Sequence, residues 1–139
     1  MRFLKRYSIK DVRGNYFEAF QSVFGEWTLQ GNCPSEVYFG YEDDKLVGFL
    51  SGYPLSLNTW YIQRAGFIKN ERNKFSNLSR IVFALNEIHK DWECLIVLIN
   101  SNDIKPLRIA LELGFKIVGT NIDSANTLWV NMMRLRKEV

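Results

Sequence analysis

The stretch Cys94-Leu-Ile-Val-Leu-Ile99 constrains the fold more than any other. Together with Glu93 it reads as a strand over 93–99 whose two faces are both apolar, and such a strand must be covered on both sides. The neighbouring segments supply the covers. Before it, Leu78, Ile81, Val82, Leu85 and Ile88 recur at helical spacing; after it, Leu107, Ala110, Leu111 and Leu113 do the same. Helices bracketing a buried strand call for parallel pairing, and so for an α/β protein with a mixed sheet and helices on both faces. The run is far too short to cross a membrane.

The remainder of the chain is consistent with this reading. The first eight residues form a short strand. Asp11 caps a helix with Val12, Tyr16, Phe17, Phe20, Val23 and Phe24 on one stripe, and Gly25 stops it. Residues 25–35 read as a loop. Strands 37–41 and 45–50 form a hairpin across the polar turn Glu42-Asp43-Asp44. Residues 59–68 make a third strand of this meander, in which Gly66 marks a bulge or a close backbone approach. Residues 69–77 are polar and partly basic, and Ser76 or Asn77 caps the helix that follows. Asp103 caps the next helix, with Pro106 in its first turn and Gly114 at its end. Strands over 115–122 and 127–133 complete about seven. No repeat or linker divides residues 1–139, so one domain is expected.

Composition excludes several classes. With 47% hydrophobic, 14% aromatic and 24% charged residues the chain is globular rather than disordered. Two cysteines, Cys33 and Cys94, with no CxxC pair, make no disulfide framework, and the single histidine, His89, leaves no zinc set, so no metal is expected. His89 reads as a surface or helix-end residue and Cys94 as core. The N-terminal residues lack the apolar stretch of a signal peptide, which points to a cytoplasmic protein with no membrane partner. The net charge of +3 is too mild to announce nucleic-acid binding. Arg2, Lys5, Arg6, Lys10 and Arg13 near the start, and Arg134, Arg136 and Lys137 near the end, read first as a solvated basic face. A nucleic-acid partner is the secondary reading. Either a monomer or a homodimer is compatible with the sequence.

Three segments together resemble the GNAT superfamily of N-acetyltransferases. The hairpin over 37–53 is similar to its second and third strands, with an acidic turn followed by Leu46-Val-Gly-Phe-Leu50. The segment 67–77 is similar to its fourth strand and pyrophosphate loop, whose Gln/Arg-x-x-Gly-x-Gly/Ala pattern would start at Arg72. Residues 102–115 resemble the stretch after its fifth strand, where an Asn precedes a helix ending in Leu113-Gly114-Phe115. The sequence departs from the pattern at Phe75 and Asn77, which take the two glycine positions, and at Ala110, which takes that of the tyrosine that often protonates the leaving thiolate. Residues 59–68 also lack the carboxylate that often serves as base.

The resemblance implies a mostly antiparallel GNAT sheet and acetyl-CoA as cofactor. It places Phe67, Ile68, Lys69, Arg72, Asn73, Lys74, Phe75, Ser76, Asn77 and Asn102 against the cofactor. A helix start can hold a diphosphate through its N–H groups and dipole. Arg64, Lys69, Arg72, Lys74 and Arg80, against Glu71 alone, suit an anion. In this family the pantetheine arm lies between the fourth and fifth strands, here beside residues 65–68 and 98–100. A backbone N–H near Phe67 or Ile68 would polarise the thioester carbonyl. No catalytic side chain is identified. The implied activity is N-acetyl transfer to an unidentified amine, a small molecule or a protein. The alternative is a catalytically silent binding or structural protein of the same fold, of the kind small phages encode. Tyr38, Tyr41, Tyr53, Trp60, Tyr61 and Trp27 are read as packing that could also line a groove for a cationic amine. Cys33 lies in a loop that covers the acceptor in this superfamily.

Overall fold

The computed structural model describes residues 1–25 and 34–137, so Trp27 and Cys33 lie outside the described residues. The elements run β1 (Arg2–Ser8), α1 (Arg13–Phe24), β2 (Glu36–Glu42), β3 (Lys45–Pro54), β4 (Thr59–Phe67), α2 (Asn77–Ile88), β5 (Cys94–Asn100), α3 (Ile104–Glu112), β6 (Lys116–Ile122) and β7 (Leu128–Leu135). Seven strands form one mixed sheet in the order β1-β2-β3-β4-β5-β7-β6. β4 runs parallel to β5, while β1–β2, β2–β3, β5–β7 and β6–β7 pair antiparallel. Among the described residues no helix is long and apolar enough to cross a membrane. Contacts gather the chain into two compact units, Met1–Tyr53 with Ile62–Ile88, and Pro54–Tyr61 with His89–Val139.

In the first unit, strand alternation sorts side chains between two helices. Val37, Phe39 and Phe49 point to one face and pack with Tyr16, Ala19 and Phe20 of α1 as a buried cluster. Tyr16 OH and Ser51 Oγ, both buried, share a 2.8 Å hydrogen bond there. The opposite face carries Arg2, Leu4, Gly40, Glu42 and Gly48, and α2 reaches it through Arg80. The hairpin turn is made by Asp43 and Asp44, both at positive φ (51° and 64°), as a two-residue turn between strands requires. Glu42 belongs to β2 rather than to the turn. Val47 is the extra residue of a bulge, since Gly40 pairs with Gly48 and Tyr41 with Leu46. Gly25 takes a left-handed φ of 78° and ends α1, as its position in the sequence predicts.

In the second unit, β4 and β5 are laddered over Thr59–Tyr61 and Cys94–Ile96. β5 is buried at Cys94 and Leu95, but Leu98 is 37% exposed. The expectation of a strand covered along its whole length therefore holds only for its first half. α3 ends as read, with Gly114 at φ 93°. Edge strand β6 is blunted by Lys116 and by a bulge at Val118. At its hairpin, Asp123 accepts from Trp129 Nε1 at 2.8 Å and from the N–H groups of Ala125 and Thr127.

Several local expectations need correction. Asp11 lies in a single 3-10 turn, Ile9–Asp11, and Val12 precedes α1 without a side-chain cap. Asp103 sits at the cap of α3, but its side chain makes no cap bond; Asn100 Oδ1 accepts from the Asn102 N–H nearby instead. Of the two readings of His89, surface or helix end, the structure bears out the second and not the first. The residue is 4% exposed just beyond α2, with Nδ1 2.9 Å from the Trp92 carbonyl oxygen. Burial holds its imidazole below its usual pKa, because the charged form would lose its hydration.

Candidate functional site

The sequence singles out residues 67–77, and all of them fall in the first unit. β4 ends at Phe67, a 3-10 turn spans Lys69–Glu71, Arg72 is extended, and Asn73 turns the chain at a positive φ of 61°. The left-handed residue of the loop is therefore Asn73. Phe75 and Asn77, at the glycine positions of the family pattern, have no such φ, so their side chains cost no backbone strain. The Phe75 side chain is fully exposed (108%) and fills no space over the start of α2.

Most of the cations expected to meet an anion have protein partners. Arg72 donates from Nη2 to the carbonyls of Ser22 and Val23, in the last turn of α1, and from Nε to the Phe67 carbonyl. It thus caps the C-terminal end of α1 from fifty residues away. Lys74 Nζ lies 2.6 Å from Glu71, and Arg80 bridges Glu71 at 3.1 Å and Glu42 at 2.8 Å. Lys45 and Arg2 extend the cluster, to Glu71 at 3.7 Å and to Glu42 at 3.2 Å. Glu71 itself is 3% exposed. The Lys74 hydrogen bond, reinforced by Arg80 and opposed by burial, holds its carboxyl below the ordinary range. Arg80 lowers Glu42 in the same way, and Glu42 and Glu71 raise Arg80.

The backbone donors are also partly committed. The Ile68 N–H donates to Val47 O at 3.0 Å and the Lys69 N–H to Ser22 Oγ at 3.0 Å. Ile68 therefore cannot supply the N–H expected to polarise a thioester, which leaves Phe67. Asn77 does not cap α2 conventionally. Its amide donates to Glu71 O, its Oδ1 accepts from Arg80, and its N–H reaches Lys74 O. Gly66 is a close approach rather than a bulge, for a Cβ there would sit 2.3 Å from Val23 Cγ1 of α1. Asn102 is exposed and belongs to the second unit. Ala110, at the family's tyrosine position, is buried. Among the basic residues weighed for nucleic acid, Arg6 pairs with Glu36 at 2.6 Å, Arg134 is buried and donates to Leu113 O, and Arg136 donates to His89 O. Among the described residues no group of three or more metal-ligating side chains occurs.

The sheet order, the parallel β4–β5 ladder and the helix entered through this loop are those of a GNAT-like fold, as the comparisons with solved structures show. The chain is similar across 99% of its length to 99% of Ard1 from Thermoplasma volcanium, at 17% identity and a TM-score of 0.67. It is similar to an N-acetyltransferase from Staphylococcus aureus Mu50 over 97% of each chain, at 20% identity and TM-score 0.67. A GNAT family acetyltransferase from Elizabethkingia anophelis, solved with acetyl-CoA bound, is matched over 96% of this chain and 97% of the other, at 10% identity and TM-score 0.60. No protein-family model matches the sequence, and no curated protein does. At these identities the likeness establishes the fold.

Proposed function

We propose that this chain binds acetyl-CoA along residues 67–77 and transfers the acetyl group to an amine. The observation that carries the proposal is the start of α2. The N–H groups of Leu78 and Ser79 lie in its first turn, where no carbonyl one turn back within the helix can accept them, and the Phe75 ring is turned outward. Those donors, the helix dipole and the exposed Lys69 suit a diphosphate. Arg72, Lys74 and Arg80 hold the loop in shape instead of meeting the ligand. The Phe67 N–H is the donor proposed for the thioester carbonyl. A neutral amine attacks that carbon, the C–S bond breaks and the thiolate departs, while the nitrogen gives up its extra proton to solvent. With Ala110 in place of a tyrosine, the proton reaches the thiolate from solvent. Binding of acetyl-CoA to the neighbour from Elizabethkingia anophelis supports the choice of donor.

Ala110 and the commitment of the Ile68 N–H to Val47 also favour a second reading, a protein that binds coenzyme A without transfer. Thermal unfolding with coenzyme A, followed by thiol release from acetyl-CoA with a panel of amines, separates the two. A ligand at about 100 times its Kd adds roughly 2.7 kcal/mol of stability. Ser76→Asp places a negative charge at the helix start, which favours the helix by about 0.3–1 kcal/mol but repels a diphosphate. The expected result is a saturable shift in the native protein and none in S76D. A shift without thiol release selects the silent reading, and no shift in the native protein rejects both.

A further inference from the structure

Between α2 and the sheet face bearing Leu4 and Leu50 lies a partly open cavity of about 210 Å³. Its origin is side-chain size. Gly40 and Gly48 stand opposite each other in the β2–β3 register, and Ala65 and Ala84 line the same space from β4 and α2. Strands and helix thus enclose a volume that larger residues would fill. Gly48 is forced, because a Cβ there would lie 2.5 Å from the Gly66 carbonyl oxygen. Gly40 is not forced. Its φ is outside the left-handed region, and an added Cβ would find its nearest atom, Gly48 O, at an ordinary 3.7 Å.

The lining is almost wholly apolar, so a water placed there would find few of the polar partners it needs, while an apolar guest gives up little. Phe67 and Phe83 add aromatic surface. The charged residues that line the cavity are matched within the protein. Arg2 and Arg80 both engage Glu42, and Arg80 also engages Glu71. Each charged lining residue is therefore already engaged by a partner, and an anionic occupant would lose its hydration against the apolar lining with no free cation to offset the loss. A cavity of about 150 Å³ accepts a single benzene ring, so this one has room for a fused bicycle. We infer that the cavity is a binding site for a neutral aromatic molecule of one or two rings, distinct from the diphosphate site proposed at the start of α2.

Indole is a suitable probe, and indole-3-acetate carries a comparable ring with an added negative charge. Titration of the full chain, followed by NMR of the Leu4, Leu50, Ile81 and Ala84 methyl groups and by thermal unfolding, should give saturable shifts for indole confined to those methyls. Binding of indole-3-acetate should be at least tenfold weaker. Ala84→Leu fills the cavity from the helix and Gly40→Val from the sheet; each should abolish the indole response. If Gly40→Val fails to fold, Ala84→Leu decides. The response to coenzyme A should survive in Ala84→Leu, so this site and the acetyl-CoA proposal fail or stand separately. Indole shifts that do not saturate, or that persist in Ala84→Leu, overturn the assignment, and equal binding of the anion overturns its neutral-ligand part.

Discussion

Replacing Glu71 by Ala should lower the unfolding free energy by about 2 kcal/mol, the scale of losing hydrogen bonds between a buried carboxylate and charged partners. Glu71 is 3% exposed and takes Lys74 at 2.6 Å, Arg80 at 3.1 Å and Lys45 at 3.7 Å. Without it Arg80 keeps Glu42, but Lys74 loses the carboxylate that ties the loop before α2. Chemical denaturation of the variant checks the figure. The same carboxyl makes stability depend on pH. Its folded pKa lies below the ordinary 4.5, through the Lys74 hydrogen bond first. The unfolded chain therefore binds the proton more readily. The contribution is complete above about pH 4.5 and is lost as pH falls through the lower folded value. Glu71→Gln, measured over pH 2 to 6, should flatten that part of the profile. A Glu71→Ala protein as stable as the native one would show that the cluster contributes nothing.

Gly48→Ala should cost roughly 3 kcal/mol, the upper part of the usual range for forcing a methyl group into closed structure. The obstacle is backbone: the new Cβ would lie 2.5 Å from Gly66 O and 3.3 Å from Phe67 Cα. Gly66 cannot readily retreat, because Val23 of α1 occupies the place its own side chain would take. Gly40→Ala is the control. Its Cβ meets nothing closer than 3.7 Å, and loss of glycine's freedom in the unfolded chain should stabilise the protein by about 0.4–1 kcal/mol. The two substitutions change the same residue type at paired positions and should move the melting temperature in opposite directions. Equal effects would contradict the bulged β2–β3 register.

Much of this architecture was legible because its signals are local. The hairpin at Asp43 and Asp44, the Gly25 and Gly114 helix ends and the stripes of α1 and α2 each depend on residues within a few positions. The charge pattern of the loop was legible in content but not in direction. Five cations near one carboxylate suggested a face turned to an anion, yet Glu71 takes three cations itself, and Glu42, from the hairpin, takes two. Nothing near Arg72 in sequence indicates the carbonyls of Ser22 and Val23, because only the packing of α1 brings them there. Gly66 signalled either a bulge or a close approach, and only the fold, with Val23 against it, decides for the second. The burial of His89 had a faint signal, since it directly follows Ile88 on the apolar stripe of α2 and precedes Trp92.

The most direct test of the central claim is an amide NMR titration of the native protein with coenzyme A. The account predicts saturable shifts at Phe75, Ser76, Leu78 and Ser79, with the Phe67 amide joining when acetyl-CoA replaces coenzyme A. Those shifts should be absent in Ser76→Asp. Saturable binding that leaves the amides of 75–79 unmoved, or no binding at millimolar coenzyme A, would contradict it.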